Sequence, residues 1–320
     1  MRDVPSVLIL AGGLSHEREI SLRSGSRVAC ALTDSGCRVR VRDIDAELWD
    51  VLGEPGEPGP QVVWPLLHGS SGEDGAIRDV LELGGSRYVG SGPEACRLAW
   101  DKSIAKSVAR RAGLRVPDAV ALPHGVFREL GAQTVLTALV RRFGLPLVIK
   151  PARGGSALGV TVVHRVGELS RAMVSCYSYG EVAVVERWVE GVEVAVSVVD
   201  TGSGPVALPP VEIVADDGIY GYDARYNAGM TEFFCPARLT RDSGAEVASA
   251  GITAHRAFGL RHLSRSDLIV DRRGAVWFLE VNVAPGMTET SLFPQSVDAS
   301  DQDTGPLYRR LVEAAIQGAG

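Results

Sequence analysis

Two carboxylates and a carboxamide near the end of the chain have the residue types and the spacing of a cation site. Asp267 lies in an alternating stretch, 265–270, and Glu280 and Asn282 lie in a second, 276–282, so both stretches predict neighbouring β-strands. Oxygen ligands without a histidine or a thiolate favour a hard cation, and magnesium takes its other ligands from phosphates and water. We therefore expect magnesium here; an exposed polar face with a salt bridge is the alternative.

The register of this hairpin determines which side chains surround the cation. The DRRG turn sequence predicts that Val270 pairs with Ala275. Arg265 would then lie opposite Glu280, with Asp267 diagonal to it. Strand alternation would sort the apolar residues, with Val276 and Phe278 on the side of Glu280 and with Leu268, Val270, Trp277, Leu279 and Val281 on the opposite face.

A glycine-rich loop in the middle of the chain has the composition of a phosphate cradle. The segment LPLVIKPARGGSALGVTVV predicts strand, loop and strand. The small residues of the loop free backbone N–H groups to approach anionic oxygens, namely Gly154, Gly155, Ser156 and Gly159. Lys150 ends the first strand and Lys102 lies on a predicted helix, so two cations would face one phosphate chain. The loop lacks the GK[ST] of a P-loop. A plain hairpin turn is the alternative.

The strands that follow this loop carry residues that suit a nucleoside. Glu186, Trp188 and Val189 lie where backbone groups could bind an adenine edge, and Glu193 could bind a ribose diol. Alone, each acid is a polar residue at a strand end. The long polar segment 216–236, which is rich in tyrosine, predicts a lid, with a surface excursion as the alternative.

The first part of the chain reads as the opening of a doubly wound α/β unit. A buried strand at 6–11 is followed by GG and a helical stretch, although the dinucleotide fingerprint GxGxxG is absent. Glu17 lies in the connecting loop, where such sheets bind ligands; a solvated loop acid is the alternative. His68 ends another predicted strand, where a scaffold role is the alternative to chemistry.

Composition excludes several classes of protein. The chain has 320 residues and 45% hydrophobic content, enough for two or three domains, and its net charge of −6 argues against nucleic-acid binding. Five cysteines without a CxxC pair predict reduced thiols in the cytoplasm. The sequence predicts neither a signal peptide nor a membrane span.

Eight blocks occur in an order that matches a known family: GGLSHEREISLRSG, LLHGSSGEDG, YVGSG, WDKSIAK, VIKPARGGSALGV, VERWVEGVEV, YDARY and LEVNVAPGMTETSLFP. Together they resemble the D-alanine–D-alanine ligases, ATP-grasp enzymes of cell-wall precursor synthesis, over nearly the whole chain. The resemblance implies an α/β fold of three domains: a small parallel N-terminal domain (1–92) and two α+β lobes (93–186 and 187–320) that enclose ATP. It also implies a homodimer.

The resemblance also implies roles for individual residues. Two magnesium or manganese ions would bind to Asp267, Glu280 and Asn282. The ATP phosphates would bind to Lys102, Lys150, Gly155, Ser156 and Arg225. The nucleoside would bind to Glu186, Trp188, Val189 and Glu193. Glu17, near His68, would bind the ammonium of the first D-alanine, Arg265 and the Gly286 amide would stabilise developing negative charge, and Ser291 and Leu292 would bind the second D-alanine. Glu17, Ser156 and Tyr226 resemble the hydrogen-bonded trio that connects the lid to the site.

Some residues depart from the family pattern. Arg225 replaces a usual lysine, Ala157 replaces a second serine, and GYDARY replaces DYEAKY. ATP binding is expected to survive these changes, whereas the second substrate stays open; Tyr226 favours an amine over a hydroxy acid. A related ligase of secondary metabolism and a catalytically silent nucleotide-binding module are the alternatives.

Overall fold

The computed structural model describes residues 4–53, 59–216, 218, 220–221, 225 and 229–318. Within these ranges the chain forms three β-sheets with helices packed against them. No helix in the described part of the chain is both long and apolar enough to cross a lipid bilayer.

The first sheet is parallel, with the strand order β2-β1-β3. Its strands are β1 (Ser6–Leu10), β2 (Arg38–Arg42) and β3 (Val62–Pro65), and four helices follow or connect them, Arg18–Asp34, Leu48–Gly53, Ser70–Glu73 and Ala76–Leu83. Strand β1 is a continuous apolar run because it lies between two neighbours and is covered on both faces. The predicted strand–GG–helix opening is confirmed.

The second sheet is antiparallel, with the order β4-β7-β5-β6. It consists of β4 (Ala119–Pro123), β5 (Leu147–Pro151), β6 (Thr161–Val163) and β7 (Val182–Arg187), with helices Gly125–Leu130, Ala132–Phe143 and Leu169–Tyr177. These elements share one apolar core. The glycine-rich loop joins β5 to β6, which confirms the predicted strand, loop and strand.

The third sheet has the order β11-β10-β8-β12-β13, and β9 also pairs with β8. Its strands are β8 (Gly191–Val199), β9 (Val206–Ala207), β10 (Val211–Ala215), β11 (Thr231–Phe234), β12 (Leu263–Asp271) and β13 (Val276–Asn282). Helix Arg241–Ala257 packs on it, and so do the earlier helices Pro93–Trp100 and Lys102–Arg111. The helix that carries Lys102 is therefore fixed against the sheet that carries Glu280.

The last two helices, Leu292–Asp298 and Thr304–Gln317, return the chain to the first sheet. Tyr308 is fully buried and meets Trp64 edge to face, with 5.4 Å between ring centroids. The two ends of the chain consequently share one apolar core.

The register of the β12–β13 hairpin differs from the prediction. Val270 pairs with Val276, one residue beyond its predicted partner, and a β-bulge leaves Leu279 without a pairing residue. Asp267 therefore lies directly opposite Glu280 rather than diagonal to it. The bulge brings the two carboxylates closer together than regular pairing would.

The bulge also reverses the predicted alternation of apolar residues. Val276 and Phe278 face the core, where Phe278 stacks on Phe258, instead of lying beside Glu280. Leu279, predicted on the opposite face, lines the same cavity as Glu280. The alternation prediction was wrong here because one extra residue in a strand shifts every following side chain to the other face.

Candidate active site

Two adjoining pockets contain the predicted site residues that the structure describes. One opens between the second and third sheets and is lined by Lys150, Glu186, Trp188, Val189, Glu193 and Asp267. The other reaches the first sheet and is lined by Glu17, His68, Ser156, Arg265, Asn282, Gly286, Ser291 and Leu292. Both are lined by Lys102, Gly154, Gly155, Tyr220, Arg225 and Glu280. We call the first the nucleotide pocket and the second the amino-acid pocket, after the predicted ligands of most of their residues; Ser156, also predicted to bind phosphate, lines only the second.

Asp267 and Glu280 face each other across the hairpin, with Asn282 two residues further along β13. Arg265 donates two hydrogen bonds to Asp267, at 2.7 and 2.9 Å. The Oδ1 atom of Asn282 accepts the N–H of Ala284 at 2.8 Å. Arg265 is therefore paired with a predicted metal ligand as well as lining the amino-acid pocket.

The charges around Glu280 suit a divalent cation bound together with phosphates. Burial alone would raise the pKa of Glu280, but the positive charges of Lys102, Lys150, Arg225 and Arg265 lower it to about 2. Among the described residues, no three His, Cys, Asp or Glu side chains converge as a metal site. Two carboxylates and a carboxamide nevertheless fit magnesium, because this ion takes few protein carboxylates and completes its shell with phosphate oxygens and water.

Lys102 connects the glycine-rich loop to the metal candidates. Its Nζ donates to the Gly154 carbonyl at 2.7 Å and lies 3.4 Å from Glu280. In the loop, Ser156 and Ala157 have φ values of 53° and 56°. Successive residues with unusual backbone angles turn N–H groups to one side, which makes a concave site for an anion.

Glu186 is buried between two lysines. Its carboxylate lies 2.7 Å from the Lys150 ammonium and 2.6 Å from the Lys106 ammonium. Burial would raise the pKa of Glu186, but the two lysines lower it. Glu193 lies in the same pocket, and burial raises its pKa to about 7 although Arg225 opposes the shift. Of the two predicted nucleoside acids, Glu186 is therefore held as an anion by the lysines, whereas Glu193 is more readily protonated.

Glu17 is held between the glycine-rich loop and the first sheet. Ser156 Oγ donates a hydrogen bond to Glu17 Oε1. At Gly69, where φ is 68°, a Cβ atom would come 2.6 Å from Glu17 Oε2, so a side chain there would displace the carboxylate. Tyr226, the predicted third member of this trio, lies outside the described residues.

His68 uses both ring nitrogens within the protein. Nδ1 lies 3.1 Å from the Ala284 carbonyl, and Nε2 lies 3.1 Å from Ser24 Oγ, which accepts the N–H of Met287. A carbonyl only accepts, so Nδ1 carries a proton. Burial lowers the pKa of His68 although Glu17 opposes the shift. A neutral His68 therefore fixes the turn that contains Gly286.

The turn after β13 places Gly286 close to Ser291. A Cβ atom there would lie 2.7 Å from Ser291 Oγ. Ser291 Oγ accepts the N–H of Thr288 at 3.0 Å and lies 2.8 Å from Thr288 Oγ1. Leu292 is buried beside them. Gly286, one of the two predicted oxyanion groups, thus lies in the same hydrogen-bonded turn as the predicted second-substrate residues.

Arg225 lies over the aromatic ring of Tyr220. Its guanidinium carbon is 4.4 Å from the ring centroid, and Nε is 3.4 Å from the Tyr220 carbonyl. Since both side chains line both pockets, this part of the predicted lid borders the junction between them.

Sequence reasoning gave no role to Glu73 and Lys106. Glu73 lines the amino-acid pocket and accepts the Gly69 N–H at 2.9 Å. Burial and the neighbouring Glu17 raise the pKa of Glu73 to about 8. Its place in a glycine-rich block next to His68 was the available signal. For Lys106 the signal was its position one helical turn after Lys102.

The second and third sheets, each covered by helices, lie on opposite sides of the nucleotide pocket. The second sheet carries the glycine-rich loop and the third carries the pair of carboxylates. This arrangement defines the ATP-grasp class of fold. The VanG D-Ala:D-Ser ligase from Enterococcus faecalis shares this fold, with a TM-score of 0.85 at 24% identity over 98% of this chain and 100% of that chain. A D-alanine–D-alanine ligase from Bacillus anthracis complexed with ATP gives a TM-score of 0.80 at 25% identity over 99% and 98% of the two chains.

Similar sequences identify the family within this class of fold. The family model described as D-ala D-ala ligase C-terminus matches residues 108–317. The D-alanine–D-alanine ligase of Geotalea uraniireducens is 39% identical over 96% of this chain and 94% of its own length. That of Pelotomaculum thermopropionicum is 36% identical over 98% and 97%. This chain belongs to the D-alanine–D-alanine ligase family.

Proposed function

We propose that this protein joins two D-alanine molecules into D-alanyl-D-alanine, converts ATP to ADP and phosphate, and serves peptidoglycan precursor synthesis. The observation that carries the proposal is the junction of the two pockets, where Lys102 and Glu280 border both. A phosphate chain in one pocket would end beside a carboxylate bound in the other. The two relatives named D-alanine–D-alanine ligase, at 36% and 39% identity, support this reaction over ligation to another acceptor.

In the first step, the carboxylate of the first D-alanine attacks the γ-phosphorus of ATP, giving D-alanyl phosphate and ADP. Glu17 binds the substrate ammonium, and Lys102, Lys150 and the loop N–H groups around Gly155 bind the phosphates. Positioning and charge stabilisation supply most of the catalysis in phosphoryl transfer. The lowered pKa of Glu280 keeps it anionic throughout.

In the second step, the deprotonated amine of the second D-alanine attacks the carbonyl carbon of the acyl phosphate. The carbonyl oxygen becomes an oxyanion, which Arg265 and the Gly286 amide stabilise. The bond from carbon to the phosphate oxygen then breaks, phosphate leaves, and the attacking nitrogen releases one proton to solvent, so that a neutral amide bond remains. Ser291 and Leu292 hold the acceptor, and Ser156 keeps Glu17 oriented.

We further propose two magnesium or manganese ions at Asp267, Glu280 and Asn282. When bound, such ions neutralise the charge of the phosphates. The support is the donor set: Asp267 and Glu280 pair in register, Glu280 lines both pockets, Asp267 lines the nucleotide pocket, and Asn282 lines the amino-acid pocket.

The domain bounds at 92 and 186, a cytoplasmic location and a homodimer stay predictions. All five cysteines are free thiols, as expected in a reducing compartment. The homodimer rests on the family resemblance alone, and analytical ultracentrifugation would test it.

The test is product analysis with ATP, magnesium and D-alanine. ADP and phosphate should form in step with D-alanyl-D-alanine, and D-lactate or D-serine offered as the acceptor should compete poorly. Equal use of another acceptor would favour the secondary-metabolism alternative. ATP binding without turnover on any substrate would favour the catalytically silent module.

A further inference from the structure

The lysines of this chain are confined to one place. Only three of its 33 basic residues are lysines, namely Lys102, Lys106 and Lys150, and the others are arginines. Lys102 and Lys150 line the nucleotide pocket, whereas Lys106 is not among its lining residues in the described part of the chain. A lysine kept where the chain otherwise uses arginine suggests a need for a small ammonium group.

Lys106 reaches the nucleotide pocket through Glu186. It projects from helix Lys102–Arg111 and contacts one oxygen of the Glu186 carboxylate at 2.6 Å, while Lys150 contacts the other at 2.7 Å. The exposed fractions are 3% for Lys106, 3% for Glu186 and 5% for Lys150. Water is therefore largely excluded from both ion pairs, and each strongly constrains the other.

Lys106 and Lys150 both form an ion pair with the single carboxylate of Glu186. While both lysines are protonated, the group carries one net positive charge, and Lys150 lies on the pocket wall, where it can also meet a phosphate oxygen. If Lys106 were removed, the Glu186 carboxylate would be compensated by Lys150 alone. Lys150 would then be held more tightly by Glu186 and would be less available to an anion.

We propose that Lys106 is a positioning residue of the nucleotide pocket, which holds Glu186 so that Lys150 faces the ATP phosphates. The inference rests on the proposed ATP-dependent function. Lys106 is not among the described residues that line the pocket, so its effect passes through the carboxylate between the two lysines.

The first test is the kinetic effect of Lys106→Met, which keeps the length of the side chain and removes its charge. KM for ATP should rise about tenfold, the size expected for one weakened charge-assisted hydrogen bond. KM for D-alanine should change by less than about twofold, because the amino-acid pocket is not altered. Ala109→Gly is the matched control, since it weakens the same helix at a buried position without a charge change.

The second test is a double-mutant cycle on the dissociation constant of ATP, measured by calorimetry. If Lys106 acts through Glu186, the double variant Lys106→Met/Glu186→Gln should bind ATP about as well as Glu186→Gln alone. The double variant also leaves no uncompensated buried carboxylate, so it keeps the test available if Lys106→Met does not fold.

Several outcomes would overturn the inference: equal ATP binding by wild type and Lys106→Met, proportional changes in both KM values as in Ala109→Gly, or a further tenfold loss in the double variant. A wild-type protein that binds no ATP would instead reject the proposed function, so the two failures are distinguishable.

Discussion

Acidic side chains that lie close together in this site differ in how readily they ionise. The pKa of Glu280 falls to about 2 because cations surround it, whereas burial beside Glu17 raises that of Glu73 to about 8. Pairs of titratable groups whose pKa values move apart are typical of catalytic sites, where neighbouring acids have different tasks. Glu280 suits a permanent anion, and Glu73 suits a group that gains charge when an ammonium arrives.

Replacing Glu280 by glutamine should abolish ligation and leave the fold intact. Glutamine keeps the shape of the side chain but removes the negative charge that pairs with Lys102 and would bind the proposed metal ions. We expect kcat to fall by at least about 10²-fold, as for loss of a key electrostatic group. Coupled measurement of ADP release and far-ultraviolet circular dichroism would check both parts.

Glu246→Gln is a matched control for this variant, because Glu246 forms a surface ion pair with Arg115 at 2.8 Å. Surface pairs contribute little to stability. Near-normal ligation by Glu280→Gln would remove Glu280 from the proposed metal set.

Glu73 should make the stability of the protein depend on pH. The folded state keeps the Glu73 proton up to about pH 8, whereas the unfolded chain loses it near 4.5, so the folded state binds more protons between these values. Unfolding free energy should therefore fall as pH rises through this range. Glu73→Gln cannot ionise and should have a flatter profile in chemical denaturation at pH 5, 6.5 and 8.

The exposed acid Glu94, changed to glutamine, serves as the control for this comparison. Parallel pH profiles for wild type and Glu73→Gln would contradict the assignment of a raised pKa to Glu73.

At the scale of elements, the β-bulge at Leu279 produces the geometry of the metal candidates. It brings Glu280 opposite Asp267 and turns Leu279 into the nucleotide pocket, while Phe278 stays in the core. A bulge next to a functional site commonly redirects a side chain in this way. One extra residue thus allows β13 to contribute both to the core and to the pocket.

Leu279→Ala should weaken nucleotide binding and spare the fold. Its side chain is half-buried on the pocket wall, so truncation removes apolar contact with the ligand without opening a cavity in the core. KM for ATP should rise by about threefold to tenfold, and KM for D-alanine should stay near the wild-type value. Steady-state kinetics with each substrate varied would measure both.

Leu83→Ala provides a control, since Leu83 is 79% exposed at the end of helix Ala76–Leu83. A large loss of thermal stability in Leu279→Ala without a change in KM for ATP would show that Leu279 belongs to the core instead.

The sequence predicts much of this hairpin but not its bulge. Alternation and the turn residues identify both strands, and the residue types identify Asp267, Glu280 and Asn282 as a group. The neighbouring residues in the sequence do not indicate where a bulge will form. Which residue is left unpaired depends on tertiary packing, here the packing of Phe278 against Phe258 in the core. Long-range partners such as Lys106 and Glu186, 80 positions apart in the sequence, likewise follow from tertiary packing.

At the scale of the whole molecule, the C-terminal helix connects the catalytic turn to the first sheet. Tyr308 packs on Trp64, and its hydroxyl lies 3.5 Å from the sulfur of Met287, next to Gly286. Removal of this ring would open a cavity between the two ends of the chain.

Tyr308→Ala should lower the free energy of unfolding by about 3–5 kcal/mol, the usual range for removing a large buried aromatic side chain. Urea denaturation would measure the change. Tyr179→Ala is the matched control, since Tyr179 is 53% exposed. Equal effects of the two variants would contradict a structural role for the Tyr308 ring.

The distribution of lysines affects how this protein can be handled. Apart from the α-amino group of the chain, all primary amines lie around the nucleotide pocket, and because Lys106 and Lys150 are buried in ion pairs, the lysine that an acylating reagent could reach is Lys102, whose side chain is 12% exposed. Immobilisation through primary amines would therefore risk blocking the pocket that a binding assay is meant to probe. Thiol coupling through the exposed Cys30 on helix Arg18–Asp34 would leave that pocket open.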